Sequence, residues 1–250
     1  MTDAATSRPD LRRDVLVTLA TLALLLCWDA SGLDLPVARL FGTAQGFALR
    51  DHWWTATLLH EGGRVAAWVT LAAVTLALWR VAQPGQPARA QRARWLAVML
   101  FCILAVPALK RFSPTSCPWD LAEFGGLARH LSHWRFGVAD GGSGRCFPSG
   151  HAVAAFGFFG MYFLWRGHSV RRASVWLAVV LVAGAVFGLA QLVRGAHYPS
   201  HTLWSAWLCW TVCVMASRLP GMAGEGVSGH CQSVSAKPST NAAGVVTEPS

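Results

Sequence analysis

Three short stretches of the sequence carry residue types suited to holding and transferring a phosphate group. Lys110 ends one apolar segment, Pro148-Ser149-Gly150-His151 begins another, and Arg194 to His201 joins two more. Lysine and arginine provide fixed positive charge for a phosphate, and histidine transfers protons near neutral pH. Lys110 is one of only two lysines in the chain, the other being Lys237. Phosphate is therefore the partner that these stretches favour.

The second stretch has the pattern of a helix N-terminus that binds an anion. Proline is favoured in the first turn of a helix, so the pattern predicts a helix that starts at Pro148. The free N–H groups around Ser149 and Gly150 would face an anion there, and the helix dipole adds roughly half a positive charge. We therefore expect Ser149 and Gly150 to bind phosphate oxygens.

The elements that must position these residues are membrane-spanning helices. Of the 250 residues, 54% are hydrophobic and only 13% are charged, and the mean hydropathy is +0.40. A helix needs roughly 20 apolar residues to cross about 30 Å of hydrocarbon. The sequence predicts an all-α, polytopic membrane protein with about six such helices, at residues 14–31, 64–82, 93–112, 149–166, 173–193 and 199–217.

Arginine placement predicts how these helices are oriented. Cytoplasmic connections carry an excess of lysine and arginine. Basic clusters lie before the first predicted span, between the second and third, and between the fourth and fifth, at Arg8, Arg12, Arg13, Arg80, Arg89, Arg92, Arg94, Arg166, Arg171 and Arg172. With these inside, Lys110, His151 and His197 all emerge at the outer face. We expect a bacterial inner-membrane protein whose site faces the periplasm.

The chain is expected to have three regions. Residues 1–13 are a cytoplasmic segment, 14–218 a membrane-embedded phosphatase-like domain, and 219–250 a disordered cytoplasmic tail rich in small and polar residues. No convincing cleavage site follows the first span, so we interpret it as a retained anchor. The net charge of +9 comes mostly from short clusters between apolar runs, which favours lipid headgroups over nucleic acid as partners.

The three stretches together resemble the motifs of the type 2 phosphatidic acid phosphatase superfamily over about residues 52–217. That family has K-x6-R-P, then P-S-G-H, then S-R-x5-H-x3-D. Lys110 with Pro118 fits the first part, residues 148–151 fit the second, and His197 fits the third. The strings CPWDL and RGAHYPSH resemble a less-studied branch of the superfamily.

Three positions depart from the family pattern. Cys117 and Gln191 replace the two arginines, and His201 replaces the aspartate. Arg194 lies one helical turn before the motif histidine and, if this segment is helical, can supply the charge lost at position 191. Arg145 is the candidate for the charge lost at position 117.

The resemblance implies a two-step phosphoryl transfer without a metal or cofactor. His197 would attack phosphorus and form a phosphohistidine, while His151 protonates the leaving oxygen. In place of the family aspartate, neutral His201 would accept a hydrogen bond from the nucleophilic imidazole. The groups expected to bind the phosphoryl oxygens are Lys110, Ser149, Gly150, Arg194 and Arg145.

Cys117 and Cys146 flank two of the motifs on the expected outer side. An oxidising compartment permits a disulfide there. We hypothesise that the two cysteines pair and clamp the outer loop onto the site.

Other functions are compatible with the sequence. A lipid phosphotransferase would share the attack by His197, and a catalytically impaired lipid-phosphate-binding protein would account for the missing arginine and aspartate. A membrane haem protein would use paired histidines among His60, His151, His197 and His201. The sequence specifies neither which lipid phosphate is the substrate nor the oligomeric state.

Overall fold

A computed structural model describes residues 11–77, 80 and 85–222. The helices are α1 Leu11–Ser31, α2 Asp34–Arg39, α3 Gly63–Ala77, α4 Arg89–Lys110, α5 Val153–Phe156, α6 Phe159–Trp165, α7 Val170–Val193 and α8 Pro199–Ala216. A π-helix, Trp54–Gly62, runs directly into α3, and two short 3-10 turns are Pro118–Asp120 and Ala122–Phe124. Strand β1, Gly42–Thr43, pairs antiparallel with β2, Gly46–Phe47. Most of the predicted N-terminal segment and tail lie outside the described residues.

Three of these helices, α1, α4 and α7, are long and apolar enough to cross a membrane. Their apolar side chains are largely uncovered by protein, as Leu24 on α1 is 71% exposed and Val182 on α7 is 64% exposed. Contiguous apolar surface of this kind is unfavourable in water and is suited to lipid. The chain is therefore a mostly helical membrane protein, as the composition predicts.

The other predicted spans are shorter in the structure. Helix α8 nearly matches the prediction of 199–217, and α3 begins one residue before the predicted 64–82. Residues 78, 79 and 81–84 of that span lie outside the described residues. The predicted span 149–166 is not one helix, because a turn at Gly157 and Phe158 separates α5 from α6.

The helix predicted to start at Pro148 begins instead at Val153, so that prediction is wrong. The reason is that Ser149 is bonded to α8. Its N–H donates to the His201 carbonyl at 3.1 Å, and its carbonyl accepts from Ser205 Oγ at 2.8 Å. These bonds hold the Pro-Ser-Gly-His stretch across the start of α8 before its own helix can begin.

The main core lies between α4, α5, α6 and α8, with Trp95 and Met99 among its most deeply buried side chains. Close packing of α5 against α7 depends on Gly184, since a Cβ placed there would lie 2.2 Å from the Phe156 ring. This packing places the end of α4, the end of α7 and the start of α8 at the same end of the bundle.

At the opposite end, a buried ion pair joins α1 to the end of α6. Arg166 Nη1 donates to both carboxylate oxygens of Asp14, at 2.9 and 2.8 Å. The two side chains are only 12% and 6% exposed. The guanidinium therefore has few water molecules to replace the carboxylate if Asp14 is removed.

We predict that Asp14→Ala destabilises the fold by about 3 to 5 kcal/mol, because it leaves a mostly buried guanidinium unpaired. The measurement is unfolding of the purified protein in detergent. Glu123→Ala is the matched control, because it breaks the exposed pair with Arg39, whose side chains are 53% and 38% exposed. Exposed pairs contribute little. Equal losses in the two variants would contradict a role for the buried pair.

Candidate active site

The three sequence stretches meet at one end of the helix bundle. Lys110 and His151 are both close enough to His197 for their charges to lower its pKa. Lys110 also lies beside Gly150, where an added Cβ would be 3.7 Å from Lys110 Cδ. The structure thus brings together groups that are far apart in the chain.

His197 is held in the turn between α7 and α8. Gly195 has φ +72°, and the His197 N–H donates to the Gln191 carbonyl at 3.2 Å. A Cβ placed at Gly195 would lie 2.3 Å from the Phe47 ring, so both the backbone conformation and the space require glycine. Pro199 begins α8 two residues after the histidine. His197 is therefore anchored on both sides.

Cys117 and Cys146 form a disulfide, with Cα atoms 5.2 Å apart, which confirms the hypothesis of pairing. Cys146 Sγ lies 3.5 Å from His197 Nδ1. Nearby, the Trp119 N–H donates to the Gly195 carbonyl at 2.9 Å. The loop after α4 and the turn after α7 are therefore joined directly at the histidine.

Two carboxylates hold the rest of this loop in place. Asp140 accepts from the Ser116 N–H at 2.6 Å and from its hydroxyl at 2.7 Å. Asp120 accepts from Ser143 Oγ at 2.8 Å. Side-chain hydrogen bonds therefore join the segment around Cys117 to the segment before Cys146, in addition to the disulfide.

Three atoms lie within 4.8 Å of one another, namely the sulfurs of Cys117 and Cys146 and a ring nitrogen of His197. This spacing also suits a metal ion. Cysteine binds metals as the thiolate. Because both sulfurs are in the disulfide, this group does not offer thiolate ligands in the oxidised protein.

His201 does not accept the hydrogen bond that was expected from His197. The ring centroids are 5.8 Å apart, and the Nδ1 atom of His197 faces Cys146 instead. Within the described part of the chain, His201 Nδ1 is buried without a partner. The disulfide lies beside the His197 ring instead, through Cys146 Sγ. A catalytic role of His201 stays a prediction.

Arg194 approaches the site from the side of His151. Its Nε donates to the Arg50 carbonyl at 2.8 Å, and its guanidinium lies 5.9 Å from the centroid of the Trp119 ring. Its charge contributes to the lowered pKa of His151. The segment from Arg194 to His197 is not helical, because α7 ends at Val193, so Arg194 does not reach the site by the helical spacing that was considered.

Arg145 lies on the loop next to the disulfide with its side chain exposed. Its N–H donates to the Ser113 carbonyl at 2.8 Å, and the residue has φ +56°. No hydrogen bond or ion pair joins its guanidinium to the described residues. Binding of phosphate by Arg145 stays a prediction.

His60 joins the site, although the sequence placed it only in the haem alternative. From the π-helix, its ring stacks on His151 with centroids 4.1 Å apart and planes 20° apart. Gln191, at a family arginine position, has Nε2 3.2 Å from His60 Nδ1. Stacked rings cannot point two nitrogens at one iron from opposite sides, so this pair is not a haem site. No local sequence pattern pairs residue 60 with residue 151.

Polar groups around His151 lack protein partners. Arg194 Nη1 and His151 Nε2 are buried without a hydrogen bond in the described region, and the Gly150 N–H forms none with it. The Ser149 N–H, by contrast, is used by α8. Buried donors are costly unless a ligand or water accepts from them. The oxygens of a phosphoryl group are acceptors for the unpartnered N–H groups of Arg194 and Gly150.

Burial sets the charge of the two motif histidines. It lowers the pKa of His151 to about 4, with the charges of His60 and Arg194 adding to the effect and the Leu59 carbonyl opposing it. It also lowers the pKa of His197 well below 6.5, and Lys110 is the next cause. Both rings are therefore neutral at pH 7 in the free site. Negative charge on a bound phosphate would favour protonation of His151.

We predict that Cys146→Ser lowers stability by about 2 to 4 kcal/mol, because the disulfide closes a loop between residues 29 apart in sequence. Catalysis falls as well, since the loop is released from His197. Unfolding in detergent and activity assays measure the two effects. Cys27→Ser, at an exposed free cysteine, is the control and should change neither. Wild-type stability in Cys146→Ser would contradict the clamp.

The model of the PAP2 superfamily matches residues 92–225, which is just over half of the chain. The match includes Lys110, residues 148–151 and His197, while His60 lies before it. No curated protein and no solved structure matches the chain. The site geometry and this match agree, and the chain belongs to the PAP2 superfamily.

Proposed function

We propose that this protein hydrolyses a phosphate ester or diphosphate of a lipid at the outer face of the membrane, through a phosphohistidine at His197. Membership of the PAP2 superfamily supports a phosphatase-type function in general. The observation that carries the finer proposal is a buried His197 near Lys110 and His151, with unpartnered donors of Arg194 and Gly150 on the side of His151.

The first chemical step follows from the orientation of the rings. Because Nδ1 of His197 faces Cys146, Nε2 is the nitrogen that attacks phosphorus. Negative charge on the bound phosphate draws a proton from solvent onto Nε2 of His151. The bond from phosphorus to the leaving oxygen then breaks, and that oxygen takes the proton from Nε2 of His151. Lys110 and Arg194 stabilise the phosphoryl oxygens as charge moves between them.

The second step returns the site to its starting state. Neutral His151 accepts a proton from water, and the water oxygen attacks the phosphohistidine. The bond between Nε2 of His197 and phosphorus then breaks and inorganic phosphate leaves. An acceptor lipid hydroxyl in place of water would make the reaction a phosphotransfer.

An apolar cavity supports a lipid as the substrate. The cavity has a volume of about 220 Å³ and extends from His151 and Gly150 between α3, α4 and α5. Apart from Arg64 and His151, its walls are nonpolar, with lining residues that include Trp68, Leu71, Ile103 and Pro107. A hydrocarbon chain in this cavity would place a phosphate next to the site.

Two features support an outer-face location. The site lies at the end of the bundle opposite the Asp14–Arg166 pair, and the arginine clusters at 80–94 and 166–172 lie at the starts of α4 and α7, away from the site. Cytoplasmic connections are enriched in arginine. The disulfide beside His197 requires an oxidising compartment, as the periplasm is.

We predict that His197→Gln lowers phosphate release at least about a thousandfold, because no other nucleophile replaces it. The assay uses phosphatidic acid, phosphatidylglycerol phosphate, undecaprenyl diphosphate and lipid A with a metal chelator, and ³²P-labelled substrate tests for an acid-labile phosphoenzyme. His52→Gln, at an exposed histidine, is the control and should keep wild-type activity.

The same assay separates the alternatives. Release that survives in His197→Gln would contradict the mechanism. An absence of release from every lipid with the wild-type protein would favour a lipid-phosphate-binding protein. Labelled product that appears on an added acceptor lipid instead of as free phosphate would identify a phosphotransferase.

We predict that the acid limb of kcat/KM lies below pH 6.5, because burial and Lys110 lower the pKa of His197 and keep it unprotonated. Lys110→Met removes a positive charge, so this pKa rises and the limb moves to higher pH. The measurement is the pH at which the acid limb lies, because the size of kcat/KM also falls when the variant binds phosphate less well. Arg111→Gln, at the exposed neighbouring residue, is the control. An unmoved limb in Lys110→Met would contradict the assignment.

A further inference from the structure

A second polar cavity lies behind His201. Its volume is about 80 Å³, and it is bordered by the end of α1, the loop after α4 and the start of α8. Its polar lining residues are mostly carboxylates, imidazoles and hydroxyls, and no lysine or arginine lines it. The cavity therefore has a different chemical character from the cationic site at Lys110.

Asp29, which lines the cavity, is a buried carboxylate bonded to neutral donors. Its Oδ2 accepts from Trp134 Nε1 at 3.1 Å and from Trp204 Nε1 at 2.9 Å, and His133 Nε2 lies 3.2 Å away. Burial lowers the pKa of His133 even though Asp29 opposes the shift, so this imidazole provides little positive charge at neutral pH. The other oxygen, Oδ1, is buried without a partner in the described region.

Asp34 adds a second carboxylate to the lining. It accepts from Trp28 Nε1 at 2.8 Å and from the Ser200 N–H at 3.1 Å. Two carboxylates without a lysine or arginine in the lining make the cavity electrostatically suited to a cation.

Two further buried atoms beside the cavity lack partners within the described chain, Tyr198 Oη and His201 Nδ1. These residues are only 3% and 1% exposed, and their ring centroids lie 5.2 Å apart. The carbonyl of Cys146 lies against the His201 ring. In a neutral imidazole one ring nitrogen carries the proton and the other accepts, so the unpartnered Nδ1 of His201 is able to act as an acceptor.

We propose that this cavity binds the primary ammonium group of a membrane aminolipid. A primary ammonium has three N–H donors, and Asp29 Oδ1, Tyr198 Oη and His201 Nδ1 are three unpartnered acceptors. A quaternary ammonium has no N–H and cannot form these bonds. The proposal does not rest on the phosphatase reaction.

An apolar groove next to the cavity fits the hydrocarbon part of such a lipid. Trp28 lines both, and the groove of about 590 Å³ continues between α1, α7 and α8 past Leu24, Leu181 and Leu203. A lipid can therefore place its chain in the groove and its amine at Asp29. This groove is separate from the apolar cavity that extends from His151 between α3, α4 and α5.

The test compares phosphatidylethanolamine with phosphatidylcholine of the same acyl chains, by native mass spectrometry of the purified full-length protein. We expect the ethanolamine lipid to be retained at least about fivefold more tightly, because only its ammonium donates hydrogen bonds. Equal retention of the two lipids, or retention of neither, would mean that the cavity holds water only and would overturn the proposal.

Tyr198→Phe tests the cavity itself. The hydroxyl has no partner in the described protein, so its removal should leave the melting temperature unchanged while weakening phosphatidylethanolamine binding about tenfold. Tyr162→Phe is the matched control, at the chain's other tyrosine on α6, and should bind as the wild type does. Unchanged binding in Tyr198→Phe would overturn the proposal.

Competition by free ethanolamine distinguishes two sources of the amine. Displacement of the lipid at millimolar ethanolamine would show that the ammonium group alone is recognised, and no displacement would show that the acyl groove is also needed; each supports the proposal. Phosphate release from the same samples is a separate readout, so failure of amine binding and failure of the phosphatase function are distinguishable.

Discussion

The disulfide between Cys117 and Cys146 lies directly against His197, so the loop after α4 and the turn after α7 cannot move independently. The hydrogen bond from the Trp119 N–H to the Gly195 carbonyl joins the same two segments a few residues away. Short, buried contacts of this kind fix the ring of a nucleophile more firmly than long exposed side chains do. Placement of His197 therefore depends on a covalent bond outside the helical bundle.

The cations of the candidate site and the carboxylates of the second cavity lie on different sides of His197. Lys110 and Arg194 lie on the side of His151, while Asp29 and Asp34 line the cavity behind His201. His197 lies between the two sides. If both proposals hold, a phosphate binds on one side and a cation on the other, so a single surface of the protein can hold both parts of a membrane's polar layer without direct repulsion.

The sequence predicted the helical membrane fold and the convergence of the three stretches, because apolar length and basic clusters largely decide how a chain crosses a membrane. It predicted the disulfide because both cysteines flank motifs on the expected outer side, where an oxidising compartment permits pairing. It did not predict that Ser149 is bonded to α8, since that bond depends on how two helices pack. His60 was missed for a related reason. Its contact with His151 depends on the register of a π-helix and on a partner more than ninety residues away, and neither leaves a local pattern.

The chain has His201 where the family pattern has an aspartate, which changes what orients His197, the nucleophile that we propose. A carboxylate beside a histidine both fixes the ring and stabilises its positive form. Here Cys146 and the turn after α7 fix the ring of His197 without adding negative charge, and Lys110 disfavours its positive form. The His197 ring is thus fixed in place, but no carboxylate beside it stabilises its positive form. A ring held in this way stays neutral, which is the form that attacks phosphorus in the mechanism that we propose.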